Sequence, residues 1–282
     1  MLDCIIIGSG VAGISAALTL QANRKSFLIF GSKSLSEKIE KAEKIHNYPG
    51  LSDVSGKDFV KALQTQLSDA QIEVKEEKVA GVYALKEKFA VLTQDGTQYE
   101  SRTVLLACGV ESIKQIEGEE AFLGRGVSYC ATCDGFLYKG KKIAVVCTTK
   151  RLEHEIGFLA GYAEKVHLIP MYKDLEIAGE NIEIIRKMPT KIIGGKRVEK
   201  LVFPNGELEV DGVFMLRESV SPAVLVGGLQ TENGHVVVDK EMRTNLTGCF
   251  AAGDCTGRPY QYAKAVGEGN VAAHAISEFL KA

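Results

Sequence analysis

No apolar run in this 282-residue sequence is long enough to span a bilayer. The opening Met1–Leu2–Asp3–Cys4–Ile5–Ile6–Ile7 has no cationic region ahead of its short apolar stretch. Neither a membrane span nor a secretory signal is therefore expected, and the chain is read as cytosolic. Six prolines and the lack of any low-complexity tract argue against disordered tails. A formal net charge of −2 gives no whole-molecule attraction to nucleic acid or to an anionic membrane. What remains, 45% hydrophobic and 25% charged residues, is the composition of an ordinary soluble globular protein. The length is generous for one domain and comfortable for two.

Seven cysteines, an odd count in a large chain read as cytosolic, do not suggest a disulfide scaffold. Cys4, Cys108, Cys147, Cys249 and Cys255 are scattered and read as small buried hydrophobes. Only Cys130 and Cys133 form a close pair. There is no second CxxC, and the five histidines are isolated, so the further ligands a structural zinc needs are not evident. The pair reads as a redox dithiol, with half of a zinc site or chance spacing as the alternatives. Near a helix start, the dipole would favour the thiolate. Asp134 beside the pair is a candidate proton donor and acceptor, or else a helix cap.

Strand-like and helix-like segments alternate, which predicts α/β layers over parallel sheets. Residues 3–7 read as a strand, 13–22 as the helix after it, 26–30 as a second strand and 104–107 as a third. A second βαβ begins at 142–146, passes through a helix from about 151 to 162, and returns at 166–169. The last segment reads as a strand and loop over 249–254, then a long helix over 261–280. Two Rossmann-like nucleotide-binding domains fit this order, the first discontinuous: residues 1–112 with 242–282, and a central domain over 113–241. The crossovers are expected near 112–115 and 241–244, and Gly194–Gly195 reads as a β-hairpin turn.

Gly8–Ser9–Gly10–Val11–Ala12–Gly13 follows a strand and opens a helix. The first glycine permits the tight turn, the second lets a pyrophosphate touch backbone, and the third lets helix and strand pack closely. The second strand ends Phe30–Gly31–Ser32–Lys33, without the acid that usually binds the adenosine ribose. Gly253–Asp254, at the end of an apolar strand, favours FAD over NAD, because an Asp there can accept hydrogen bonds from ribityl hydroxyls.

Cys130–Ala131–Thr132–Cys133–Asp134–Gly135, preceded by Gly124–Arg125–Gly126–Val127–Ser128, resembles the active-site segment of the low-molecular-weight bacterial thioredoxin reductases. His46–Asn47–Tyr48–Pro49–Gly50 is similar to their flavin-contacting turn, and 249–254 with Gln261–Tyr262–Ala263 is similar to their C-terminal flavin segment. The resemblance implies FAD, a thioredoxin partner and a homodimer. The implied flavin contacts are Gly8, Ser9, Gly10, Val11, Ala12 and Gly13 in the first turn; Gly31 and Ser32 after the second strand; Asn47; Ala107 and Gly109 after the third; Gly253 and Asp254; and Gln261, Tyr262 and Ala263. Gln261–Tyr262 stands where Arg–Gln is common in the family. By position, Cys133 would face the flavin, Cys130 would attack the thioredoxin disulfide, and Asp134 would match the family's acid.

The resemblance breaks at the family's NADPH site. Its GxGxxA turn reads here Cys147–Thr148–Thr149–Lys150–Arg151–Leu152, so Cys147, Thr149 and Leu152 occupy all three small positions. Thr149 puts a Cβ where pyrophosphate should meet backbone, and Leu152 would oppose close helix approach. The arginines of the 2′-phosphate clamp are replaced by Met171, Tyr172 and Glu176, and Lys173 alone is no substitute. This pattern resembles the ferredoxin-dependent flavin thioredoxin reductases, a divergent branch of that family. Reduction by ferredoxin, at about −400 mV, of thioredoxin, at about −270 mV, is downhill by roughly 6 kcal/mol over two electrons. An acidic ferredoxin would want a basic patch, for which Lys139, Lys141, Lys142, Arg186, Lys187, Lys191, Lys196 and Arg197 are candidates. The alternatives are a flavin dithiol oxidase using oxygen, an NADPH-dependent reductase with a diverged site, and a non-catalytic redox sensor.

Overall fold

Short aliphatic runs followed by glycine-rich turns build a sheet with a parallel core in each of two units. These are Met1–Val110 with Ser221–Ala282, and Glu111–Val220. The computed structural model describes residues 1–51, 53–110, 116–217 and 222–281. The first expected crossover, at 112–115, lies outside the described residues.

In the first unit, strand Leu2–Ile7 lies between Phe27–Phe30 and Gln98–Leu106 and runs parallel to both. Val74–Lys75 extends the sheet past Phe27–Phe30, and Cys249–Ala251 joins parallel to the far half of Gln98–Leu106. Cys4, Ile5, Ile6 and Ile7 are all buried, as a parallel strand covered on both faces requires. The strand expected at 104–107 is longer, Gln98–Leu106, because its polar first half pairs antiparallel with Phe89–Thr93, itself paired with Val79–Ala84.

Helices Val11–Ala22, Gly56–Asp69 and Tyr262–Phe279 share one core with Cys4, Ile6, Ile29 and Leu105. The first and last of these helices, from opposite ends of the chain, meet through Ala12, Ala16 and Ala17 on one side and Gly269, Ala272 and Ala273 on the other, all buried. A Cβ on Gly269 would overlap the carbonyl oxygen of Ala12. Three side-chain hydrogen bonds rivet the seam: Ser15 Oγ to Val266 O at 2.7 Å, Asn270 Nδ2 to Thr19 Oγ1 at 3.0 Å and Asn23 Nδ2 to Ser277 Oγ at 3.0 Å.

The second unit repeats the theme. Lys142–Cys147 lies between Lys165–Pro170 and Gly212–Leu216, with Ile182–Ile184 and Val127–Ser128 outside them, all parallel. A three-stranded antiparallel meander, Lys191–Gly194, Val198–Phe203 and Gly206–Glu209, precedes the strand Gly212–Leu216, and its first turn is the hairpin expected at Gly194–Gly195.

Two expectations need correcting. The return to the first unit falls near 220 rather than at 241–244, because 222–241 is built into that unit. Val226 bridges Val82, Gln230 N donates to Asn245 Oδ1 at 2.8 Å, and Asn245 Nδ2 donates to Gly228 O at 2.9 Å. Isolated apolar residues making single bridges carry no periodicity that could have assigned this stretch. The helix expected over 151–162 is a 3₁₀ turn, Lys150–Leu152, and then a shorter α-helix, Glu153–Ala160.

Replacing Gly269 with Leu should lower stability by about 2 kcal/mol or more, since neither helix can retreat without breaking the seam. The readout is the urea midpoint, and an unchanged midpoint would show that the two backbones are not pressed together there.

Candidate functional site

Four parallel strands of the first unit end side by side, and their exits form a cradle. Gly8 N donates to Phe30 O at 2.8 Å, Ala107 N to Ile7 O at 2.8 Å, Ala252 N to Leu106 O at 2.9 Å and Gly31 N to Lys75 O at 3.0 Å. These bonds hold Gly8, Gly31, Ala107 and Ala252–Gly253 in register at one edge. Gly8 sits at φ +117°, and a Cβ there would overlap Ala107 O; a Cβ on Gly13 would overlap Gly8 O. At Gly10 the case is opposite, because nothing lies within 4 Å of where its Cβ would be. Gly10 caps the helix Val11–Ala22 with no side-chain acceptor, and the first turn carries no acidic residue. Backbone N–H groups at an uncapped helix start, beside open space above a glycine, suit a pyrophosphate. The residues fit FAD.

After the second strand, where the ribose-binding acid is lacking, stands a serine turn. Ser32 Oγ and Ser34 Oγ are 2.7 Å apart, and buried Ser9 donates to Ser32 O at 2.9 Å. Ser34 was not singled out from sequence.

Of the remaining expected flavin residues, Asn47 Nδ2 donates to Gln261 Oε1. Tyr262 lies near Asp254: burial, then that carboxylate, push its phenol upward. The Tyr262 ring stacks through Phe59, centroids 5.9 Å apart, to Tyr48 at 5.1 Å. Gly109 takes a left-handed turn, φ +68°, after Ala107, and Ala263 is exposed in the first turn of the last helix. The sequence reading missed what holds Gly253–Asp254 in place. Lys264 Nζ donates to Gly253 O at 3.1 Å, to Gly257 O at 3.0 Å and to Glu268 Oε2 at 3.0 Å, while Glu268 Oε2 accepts Gly253 N at 2.8 Å. An i, i+4 ion pair on a helix was the available signal, but such pairs are usually exposed; this one is largely covered.

In the second unit Cys130 and Cys133 are joined as a disulfide, Cα atoms 5.3 Å apart. The helix they open, Ala131–Asp134, is only four residues long and runs into a 3₁₀ turn, Gly135–Tyr138, so a full helix dipole is not what faces the sulfur. A direct bond serves instead: Cys133 N donates to Cys130 Sγ at 3.1 Å, which makes Cys130 the cap. Asp134 is therefore not the cap; it closes the helix, its amide reaching Cys130 O at 3.3 Å. Burial and the Asp134 carboxylate together raise the Tyr138 phenol.

Behind the disulfide lies a charge pair that sequence could not reveal. Glu119 and Arg217, 98 residues apart, are both buried, with Arg217 Nη1 to Glu119 Oε1 at 2.9 Å and Nη2 to Oε2 at 3.0 Å. Tyr129, the residue before Cys130, donates its hydroxyl to Glu119, and Ile116 N donates to the same carboxylate at 2.9 Å.

The turn after Lys142–Cys147 is closed. Cys147 is fully buried, burial pushes its thiol up, and its Sγ donates to Thr149 O at 3.3 Å. Leu152 is packed into the core with Ile156 and Phe214, so the α-helix begins one residue later, at Glu153. Its first turn carries Glu153 and Glu155, and Glu153 Oε1 accepts Glu176 N at 3.2 Å. Glu176 in turn is ion-paired with Lys150. Acids thus stand at and beside the helix start where a phosphate would seek N–H groups, and like charge opposes its approach. Glu153 and Glu155 were missed because they look like the solvated acids of any helix start.

Among the described residues no helix is long and apolar enough to cross a membrane. A family model described as pyridine nucleotide-disulphide oxidoreductase matches residues 2–148 and 171–269, leaving out most of the closed turn, the helix after it and the strand Lys165–Pro170. The chain is similar to a ferredoxin-flavin thioredoxin reductase from Clostridium acetobutylicum, with 45% identity, a TM-score of 0.90 and coverage of 99% of this chain and 98% of that one. It is also similar to a thioredoxin reductase from Gloeobacter violaceus, with 29% identity, a TM-score of 0.79 and coverage of 99% and 94%. A thioredoxin reductase of Aquifex aeolicus is 32% identical over 301 residues, covering 99% of this chain and 93% of that relative.

Two outcomes follow from these geometries. Gly10→Val should leave a folded protein that purifies with less flavin, because its side chain has room in the protein but not beside a pyrophosphate; full flavin content by absorbance would refute the cradle. Glu119→Ala should destabilise the protein by about 3–5 kcal/mol in denaturant titration, since it strands a buried guanidinium, whereas a loss below about 1 kcal/mol would mean that water reaches Arg217.

Proposed function

From the premise that the chain belongs to the pyridine nucleotide-disulphide oxidoreductase family, and within it to the thioredoxin reductases, we propose that it is an FAD enzyme reducing thioredoxin with electrons from ferredoxin. The observation that carries this reading is the contrast between two turns. The first is open above Gly10 and free of acids in its helical turn, while the second is filled by Cys147 and Leu152 and flanked by Glu153 and Glu176. One nucleotide is accommodated and the other is repelled. A bound flavin supplies the ability to take electrons singly and give them in pairs, so that a one-electron protein donor can replace a hydride donor.

The chain's own residues then account for disulfide exchange. Once the Cys130–Cys133 bond is opened, the amide of Cys133 stabilises negative charge on Cys130 sulfur. Cys130 is accordingly the thiol that attacks thioredoxin, and Cys133 the one that faces the flavin and later displaces the product by re-forming the bond. Asp134 holds the proton delivered to the departing thiolate. Phe136 and Leu137, 58% and 53% exposed just after the motif, offer apolar surface for the partner, and Lys139 and Lys141 follow them. For an acidic ferredoxin the exposed cations Arg186, Lys187, Lys196 and Arg197 are the proposed contacts; Lys191 is paired with Glu117. A cytoplasmic homodimer completes the proposal, supported by the resemblance to the family.

Anaerobic titration of the flavin-loaded protein tests the donor. Reduced ferredoxin should bleach the flavin stoichiometrically, and NADPH should leave it oxidised; bleaching by equimolar NADPH would overturn the assignment. Cys133→Ser should abolish thioredoxin reduction while flavin bleaching by ferredoxin persists, and surviving turnover would mean that the cysteine roles are wrong.

A further inference from the structure

The segment that follows the disulfide runs alongside the helix Glu153–Ala160 and the turn after it. At its start, a Cβ on Gly135 would sit 3.1 Å from both Leu159 Cδ2 and Phe158 Cε1. At its far end, Gly140 N donates to Tyr162 O at 3.0 Å. Phe136 and Leu137 lie between these two contacts, and both are exposed. Phe158 and Tyr162, each 37% exposed, stand beside one another with ring centroids 5.2 Å apart. The four side chains therefore form one apolar patch on the second unit, continuous with the dithiol segment. The core does not need the two rings. Ile156 and Leu159 fill the inward side of that helix against Ala131, Ile143 and Phe214, and an i, i+4 aromatic pair steadies a helix only slightly. The exposed neighbours Gly157 and Gly161 add no side chain to cover them.

We propose that Phe158 and Tyr162 extend the docking face for thioredoxin, so that the helix after the closed turn takes part in choosing the protein acceptor. The inference deepens the role given above to Phe136 and Leu137, and it rests on thioredoxin as the acceptor whatever the electron donor. Reach supports it. A Cα-to-Cα step is at most about 3.8 Å, so the contact at Gly135 places the Phe158 ring within roughly 13 Å of the Cys133 Cα. A specific interface covers about 800 Å² on each partner, a disc of roughly 16 Å radius. A thioredoxin whose disulfide meets Cys130 sulfur covers this ground as well. The surface it brings must be apolar beside its own disulfide, because charged groups desolvated against these rings would find no partner.

The test is a single-turnover measurement that leaves the electron donor out. Flavin-loaded protein is photoreduced anaerobically and mixed with rising concentrations of oxidised thioredoxin while flavin reoxidation is followed. In Phe158→Ser and Tyr162→Ser the thioredoxin concentration giving half the maximal rate should rise about tenfold, with the maximal rate within about twofold of the parent. Phe158→Leu and Tyr162→Phe keep the apolar surface and should hold both quantities within about twofold. An unchanged half-saturation in both serine variants, or a fall in the maximal rate alone, would overturn the proposal. So would a urea midpoint lowered in step with the loss, which would show that the rings hold the core. A changed oligomeric state with unchanged half-saturation would assign the rings to a contact between copies of this chain and overturn it too. If the reduced flavin of the parent protein ignored thioredoxin altogether, the function proposed above would fall, not the placement of these two rings alone.

Discussion

The close approach of the first and last helices is the constraint on which the flavin cradle depends. Val11–Ala22 begins in the Gly8–Gly13 turn, and Tyr262–Phe279 follows the Gly253–Gln261 segment, so the two halves of the cradle are brought together by one seam of alanine and glycine. The chain between them leaves to build a second unit and returns. No local bond could compensate for that excursion. Small side chains permit backbone contact at Gly269 and Ala12, and tight packing turns a long loop closure into a fixed distance.

The two units then show how little of nucleotide binding resides in topology. Both have a central parallel strand flanked on each side, and both place a glycine or its replacement at the strand exit. In one, glycines leave N–H groups and open space. In the other, a buried thiol and a leucine fill the space, and the helix that follows starts with glutamates. Once the turn no longer has to admit a phosphate, its interior can be packed like any core and its helix start can take the carboxylates it favours electrostatically.

The dithiol segment is fixed differently. A four-residue helix cannot hold itself in place, and here the residue before Cys130 is tethered by its phenol to a buried carboxylate that a guanidinium neutralises. Burying that pair is costly unless every partner stays, so the arrangement resists displacement when the adjacent disulfide opens and closes.

Gly8, Gly10 and Gly13, the Cys130–Cys133 spacing, and the side chains at 147, 149 and 152 were legible because each acts through its own backbone or its immediate neighbours. Periodicity likewise located the central strands, though it lost the polar half of Gln98–Leu106 and the unit membership of 222–241. Glu119 with Arg217 was not legible as a pair, nor was the hold of Lys264 and Glu268 on the Gly253 backbone. By itself the sequence determined which turns could receive a phosphate and where a dithiol sits, since sterics and spacing are local. Only the tertiary structure decided which charges meet and which groups are buried, because both depend on segments that folding brings together from far along the chain.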